Sequence, residues 1–392
     1  MLFQENSLID ELKVNIAADT LLRWSRSMLL GSKNLAICIY LASFGIAINA
    51  YAQKFIPFGV EFDDPQKPIP VKVVIVTMFE IGEDAGDRAG EFQLWKERQG
   101  LNVQIAFPHS HHDLFYNEDT QVLGIVTGIG TAKSASAIMA LGLDSRLDLS
   151  SAYWIIAGIA GIDPEDASIG SAVWSSYLVD GDLAHEIDPR EMPSNWDFGY
   201  FARNTTSPFD PNKPAPTGEV FVANQSLRDW AFDQTKDIVL PDSKSLEETR
   251  MLYTEHPNAR KPPFVLKGGH IAAMTFWHGE ILNEWANRWV AYWTEDETDF
   301  VTSAMEDTGT FQSLEYLDRI DRVDKNRVMV LRAGSNYTMQ PPGMTAAENM
   351  LKENEGFAGL EASLESLYIV GSTVLEEIVG DWEKYKDIIP EI

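Results

Sequence analysis

The 392-residue chain has one cysteine, Cys38, so it forms no disulfide within itself. Basic residues are scarce as well: 31 Lys and Arg stand against 59 Asp and Glu, a net charge of −28. That balance argues against nucleic acid or an anionic membrane surface as a partner, because both require a basic face. Bilayer-length apolar runs are missing too. The run at residues 35–48 has 14 residues, short of the roughly 20 that a spanning helix needs.

That short run has a different signature. Arg23, Arg26 and Lys33 precede it, and Ala50-Tyr51-Ala52 follows it. A basic flank, a short apolar core and an A-x-A site are the parts of a secretory signal. Residues 1–52 are therefore expected to be a signal region, with Met28 a candidate start and an uncleaved anchor the alternative. A mature chain beginning near Gln53 would have no spanning segment and no thiol, and would be exported to a periplasm or secreted. Pro57, Pro65, Pro68 and Pro70 then mark an extended linker over 53–70.

Beyond the linker the chain becomes periodic. Val71-Lys-Val-Val-Ile-Val-Thr77 reads as a buried strand, leading into Met78-Phe79-Glu80 and an acidic, glycine-rich loop. Gln121-Val-Leu-Gly-Ile-Val-Thr127 is a second strand. Gly128 and Gly130 make a turn after it, and a small, apolar helix begins near Thr131. Tyr153-Trp-Ile-Ile-Ala157 is a further strand, read as ending in a glycine loop at Gly158 and Gly161. Strands alternating with a helix of this length mark an α/β layer. Both glycine segments should lie at the carboxyl ends of the sheet, where α/β folds take ligands. There backbone N–H groups and a helix N-terminus approach a polar group closely.

Residues 180–267 lose periodicity. Pro189, Pro193, Pro208, Pro211, Pro214 and Pro216 and the aromatics Trp196, Phe198, Tyr200 and Phe201 predict a long surface excursion, with amphipathic helices near 225–236 and 245–254. A loop this long beside a ligand edge forms a lid or a contact within a homo-oligomer. His109, His111, His112 and Asp113 crowd one loop with no second cluster to complete a coordination shell, so no metal is expected. Carboxylates and amides at later strand ends are more informative. Met305-Glu306 pairs an apolar surface with a group able to chelate two vicinal hydroxyls, and Asn336 offers donors and acceptors to a purine edge. Phe276 is placed to stack on a base.

The segments 78–92, 127–163, 275–279, 302–310 and 332–343 together resemble the nucleoside phosphorylase superfamily, and more closely its purine nucleoside permease family. The resemblance spans about 71–343, and in the nearer family extends to the C-terminus. It implies a three-layer α/β domain over 71–343 with a mixed central sheet flanked by helices, and C-terminal helices over 344–392. It assigns Thr127 to the ribose anomeric carbon, Met305 and Glu306 to the ribose and its hydroxyls, and Phe276 and Asn336 to the base. Arg332 resembles the arginine of the nucleosidase branch, and Glu80 stands within one residue of that branch's water-activating glutamate. No cofactor is implied.

Two departures bear on the reaction. Gly124 stands where phosphorolytic relatives carry a phosphate-binding arginine, and Arg88 is the only arginine in the loop after the first strand. A site short of arginine holds a dianion poorly, so water is favoured over phosphate as nucleophile. Asn336 stands where many relatives have aspartate, and favours 6-oxopurine nucleosides. The expectation is cleavage of a purine nucleoside to ribose and base outside the cytoplasm, linked to nucleoside uptake. Phosphorolysis is the rival within the same class. A nucleoside-binding component of an uptake system without chemistry is the rival outside it.

Overall fold

The structure, a computed structural model, describes residues 54–56 and 67–392. The signal expected at 1–52 lies outside the described residues, as does most of the expected linker. The strands, in chain order, are β1 (Lys54–Ile56), β2 (Ile69–Pro70), β3 (Val73–Thr77), β4 (Val103–Ile105), β5 (Leu114–Asn117), β6 (Val122–Val126), β7 (Leu147–Asp148), β8 (Tyr153–Ile162), β9 (Ala172–Ser175), β10 (Tyr177–Asp180), β11 (His185–Glu186), β12 (Tyr200–Phe201), β13 (Val220–Val222), β14 (Val265–Lys267), β15 (Gly269–Ala272), β16 (Phe300–Ala304) and β17 (Val328–Tyr337). The helices are α1 (Gln93–Arg98), α2 (Thr131–Leu143), α3 (Gln225–Thr235), α4 (Lys244–Arg250), α5 (Glu280–Thr294), α6 (Asp307–Asp318), α7 (Ala346–Glu353), α8 (Leu360–Gly380) and α9 (Trp382–Tyr385).

The strands that were legible as β-branched runs lie at the centre. β3 and β6 are buried at every position, which is how strands covered on both faces read. Alternate residues of these strands point to opposite faces. Val74, Val76, Leu123, Ile125, Trp154 and Ile156 meet Ile138 and Leu141 of α2 and Phe311, Leu314 and Leu317 of α6. Val73, Ile75, Tyr153 and Ile155 meet Trp230 of α3 and Leu367, Val370, Val374 and Ile378 of α8. Helices thus cover both faces of a mixed 13-stranded sheet, the three-layer α/β arrangement expected.

Two readings are corrected. Gly158 and Gly161 do not form a loop: β8 continues through them to Ile162, paired with β17 throughout except for a register shift between Gly334 and Asn336. The glycines are there for side-chain clearance rather than for a turn. Nor is the segment before β3 only a linker, because β1 pairs in parallel with β4 at the sheet edge and β2 pairs with β7. The 180–267 excursion holds the small β11–β12 hairpin, β13, α3 and α4. Its Phe198 and Phe209 pack with Trp285 and Trp289 of α5 in a separate aromatic core.

β8 is the branching element. β17 lies along one edge for its whole length. On the other edge, β3 pairs with Tyr153–Ile156 and then stops, while β16 approaches antiparallel at Gly161 and Ile162. Between those pairings the edge from Ala157 to Ala160 has no strand beside it. A gap of that kind leaves backbone polar groups that must find other partners.

The α8 helix anchors the C-terminal segment to the sheet. Leu367→Ala removes a side chain that is 1% exposed, and is expected to destabilise the fold by about 2–5 kcal/mol. Leu351→Ala on α7, at a position 66% exposed, should change stability by less than about 0.5 kcal/mol. Chemical denaturation of both variants checks the contrast.

Candidate active site

A cavity of about 300 Å³ opens at the unpaired edge of β8. Its walls come from the ends of the diverging strands: Met78 and Phe79 after β3, Ile159 to Gly161 on β8, Ser303 to Glu306 at the end of β16, and Arg332, Ser335 and Asn336 on β17. Its volume suits a small molecule, and its few polar groups converge on an otherwise apolar lining. A larger groove of about 610 Å³ is lined mainly by polar side chains, among them Glu165, Glu255, His256, Glu280 and Glu284, and lacks an apolar lining of that kind.

Arg332 organises the floor. Its register partner on β8 is Gly158, and a Cβ there would come within 2.2 Å of Nη1. The missing side chain is what lets the guanidinium lie flat over the neighbouring strand. Nε and Nη2 donate to the two oxygens of Asp307 at 3.1 and 2.7 Å, a bidentate fork. Nη2 also donates to Glu306 Oε2 at 3.3 Å, and Nη1 to the Ile159 carbonyl at 3.1 Å. Asp307 is held from behind by His270, whose Nε2 lies 2.8 Å from Oδ2 and whose Nδ1 lies 2.9 Å from Thr302 Oγ1.

The second group at the unpaired edge is Glu91. Its Oε1 accepts the Ile159 N–H at 2.8 Å and its Oε2 the Met78 N–H at 2.7 Å. One carboxylate therefore satisfies donors from both strands that border the gap. Burial pushes its carboxyl up to about 8, against the pull of Arg332 and with a further push from Glu306. Burial also raises Glu306, opposed by Arg332 and assisted by Asp307. Asp307 behaves in the opposite way: burial would raise it, but Arg332 and His270 hold it well below the usual carboxylate range. Asp307 thus takes most of the guanidinium's charge, leaving Glu91 and Glu306 in excess.

Glu306 sits at the start of α6 with Oε1 accepting the Gly130 N–H at 3.0 Å. The glycine turn at Gly128 and Gly130, both at positive φ, brings that amide in. Thr131 Oγ1 donates to the Met305 carbonyl at 2.8 Å, tying α2 to the same corner. At the other end of the cavity Phe276, 43% exposed, lies nearly parallel to Phe357 with ring centroids 6.0 Å apart. Asn336, on β17, is buried, its Oδ1 accepting from Ser335 Oγ at 3.0 Å.

The family described as purine nucleoside permease (NUP) matches residues 70–390. The chain belongs to the purine nucleoside permease family. Relatives include a purine nucleoside permease of Candida albicans, 29% identical over 321 residues, covering 80% of this chain and 76% of the relative. A probable purine nucleoside permease of Schizosaccharomyces pombe is 27% identical over 323 residues, covering 79% and 90%. Among solved structures, a Helicobacter pylori 5′-methylthioadenosine/S-adenosylhomocysteine nucleosidase has a TM-score of 0.47 at 14% identity, covering 79% of this chain and 100% of that one. Futalosine hydrolase of the same organism has a TM-score of 0.45 at 13% identity, covering 78% and 98%. Among the described residues no helix is long and apolar enough to cross a membrane.

In this family member the structure brings Met305, Glu306, Phe276, Arg332 and Asn336 to one cavity. It does not bring Glu80 there. The Glu80 carboxylate accepts from the backbone N–H groups of Ile81, Gly90, Phe92 and Gln93, which pins the acidic loop onto the start of α1. Glu91 occupies the cavity position instead. Nothing in the sequence separates it from Glu80, since both stand in the same acidic segment beside apolar residues. Thr127 is buried behind the lining, its hydroxyl donating to the carbonyls of Thr77 and Gly128. Gly124 faces the core: a Cβ there would meet Phe92 at 2.6 Å. Arg88 is exposed in the loop and is not among the lining residues. The C-terminal Phe357, also missed, completes the aromatic wall.

Glu91 lends itself to a stability test. Its folded pKa of about 8 lies above the ordinary glutamate value of 4.5, so the folded state holds the proton more tightly. The stability this gives is full below about pH 4.5 and is lost as pH rises through about 8. Glu91→Gln removes that loss. Its amide can accept only one of the two backbone N–H groups, a pH-independent cost, so the expected signature is that the parent's melting temperature falls relative to the variant's as pH rises from about 5 to about 8. Melting curves across that range check it, and a constant gap would exclude the assignment.

Proposed function

We propose that the cavity binds a purine nucleoside and cleaves its N-glycosidic bond with water. The ribose rests on Met305 with its hydroxyls on Glu306, and the base lies against Phe276 with its edge at Asn336. The observation that carries this reading is the charge balance: once Glu91 ionises, above about pH 8, three carboxylates of Glu91, Glu306 and Asp307 face the single guanidinium of Arg332. As the glycosidic bond lengthens, positive charge develops on the sugar. Buried carboxylates held in place beforehand favour that charge over the neutral ground state. Glu91, once ionised, takes the proton of an attacking water.

The same balance weighs against phosphate. Arg332 spends four of its five N–H groups on Asp307, Glu306 and Ile159. One remaining hydrogen cannot grip a dianion beside two carboxylates. The family name and the names of the two fungal relatives favour a purine nucleoside as ligand.

Incubating the purified protein with inosine, with and without phosphate, should yield ribose and hypoxanthine at a rate that phosphate does not raise. Ribose 1-phosphate formed only with phosphate would replace this reading with phosphorolysis. A ligand-raised melting temperature without either product would leave a binding component. Glu306→Gln and Glu91→Gln should each lower kcat/KM by about 10²-fold or more while the protein stays folded. Because the base must be ionised, kcat/KM should rise with pH to a plateau above about 8, the pKa of Glu91. Loss of that limb in Glu91→Gln distinguishes a base from a structural carboxylate.

Export is proposed alongside, on the basic flank, short apolar run and Ala50-Tyr51-Ala52 site. N-terminal sequencing of protein from its native source should give a start near Gln53. Membrane-bound protein retaining residues before Leu35 would show an anchor instead.

A further inference from the structure

A second cavity, of about 290 Å³, adjoins the first at Phe276, the one residue that lines both. The two also meet through the backbone. Ala273, which lines the second cavity, donates its N–H at 3.0 Å to the carbonyl of Ala304, which lines the first. The other apolar walls of the second cavity are Trp277, just before α5, Leu282 and Trp285 on α5, and Met350 on α7. No Lys or Arg lines it. Its Asp182 carboxylate is already engaged by the Met274 N–H, and burial pushes the His278 imidazole down to about 4, so that ring is uncharged at neutral pH. Trp277 and Trp285 also carry buried indole N–H groups with no acceptor among the described residues, which is uncommon in a finished core.

We infer that this second cavity holds an apolar substituent of the base, so that the site takes purine nucleosides modified on an exocyclic nitrogen. The inference rests on the purine nucleoside reading above, which puts the base against Phe276 and the ribose on Met305 and Glu306. The wall shared by the two cavities is the base's wall, and neither Met305 nor Glu306 lines the second one. A group extending from the base therefore reaches it more directly than one extending from the sugar. An exocyclic nitrogen directs its substituent outward in the plane of the base, past the edge of a stacked ring rather than through it. Burying an apolar group beside Trp277, Leu282, Trp285 and Met350 is favourable in proportion to the area it removes from water. A carboxylate or phosphate in the same place would meet Asp182 and find no cation to replace its lost hydration.

The test is calorimetry on the full protein with adenosine, guanosine, N6-benzyladenosine and N2-benzylguanosine. It is run at about pH 6, where Glu91 keeps its proton and cleavage is slow. At least one benzylated nucleoside should bind about 10-fold or more tightly than its plain counterpart. Leu282→Trp and Met350→Trp each fill the second cavity, from α5 and from α7, at positions only half-buried. Either should bring that ratio to within about 3-fold while the plain nucleoside keeps its affinity to within about 3-fold. Melting curves show which variant is folded, and one folded variant suffices. A ratio that survives the filling, or no gain from either benzyl group, would overturn the inference and leave the nucleoside reading standing. A gain seen only with 5′-benzylthio-5′-deoxyadenosine would put the apolar subsite at the sugar and overturn it equally. If no nucleoside binds, plain or benzylated, the nucleoside reading fails and the inference with it.

Discussion

The fork between Arg332 and Asp307 is the contact on which the site depends. Both side chains are fully buried, and an unpaired charge at that depth would be strongly unfavourable. The pair persists because every part of it is matched. His270 backs the carboxylate, the Ile159 carbonyl takes a guanidinium N–H, and Gly158 clears the space. An arginine is needed for this, since a lysine has no planar fork to span two oxygens. Once Asp307 is paired, Glu306 is left with a weaker share of the guanidinium at 3.3 Å, and Glu91 with none by direct hydrogen bond. Above about pH 8, where Glu91 gives up its proton, the consequence is residual negative charge beside the apolar cavity.

That charge would be of little use without the gap in the sheet. Where β3 stops short of β16, the backbone of Ile159 offers an N–H and a C=O at an edge with no neighbouring strand. The protein fills these with Glu91 and Arg332 rather than with a further strand. A guanidinium and a carboxyl group are thereby both fixed by one residue's backbone. A rigid element positions the polar groups, and the opening beside it supplies the room.

Much of this was legible beforehand, and the failures have physical causes. Runs such as Val73–Thr77 and Val122–Val126 declare buried strands, and the turn at Gly128 and Gly130 declares the start of α2, because local chemistry suffices there. Arg332, Glu306 and Asn336 stand out as polar residues at the ends of apolar strands. The glycines of β8 mislead because glycine weakens a strand locally, while its purpose here lies on β17, far away in sequence. Glu80 and Glu91 share one acidic loop, and composition cannot say which turns inward. The path of the loop decides it, and four backbone amides claim Glu80. The Thr127 hydroxyl was assigned outward, yet two nearby carbonyls hold it.

The C-terminal segment divides its work in a way that no periodicity reveals. The α8 helix buries Leu367, Val370, Val374 and Ile378 against the sheet and is part of the core. By contrast α7 buries none of its residues. Its start is fixed by the capping box of Thr345 and Glu348, and its end meets the site through Asn349 and Glu353. Neutral hydrogen bonds contribute about 0.5–1.5 kcal/mol each, somewhat more when one partner is charged. A helix held mainly by such contacts is bound to the cavity far more weakly than α8 is bound to the sheet. Its position is therefore sensitive to what Asn336 does with its amide. The Asn336–Glu353 contact at 3.4 Å is one of the few that tie this helix to the cavity wall.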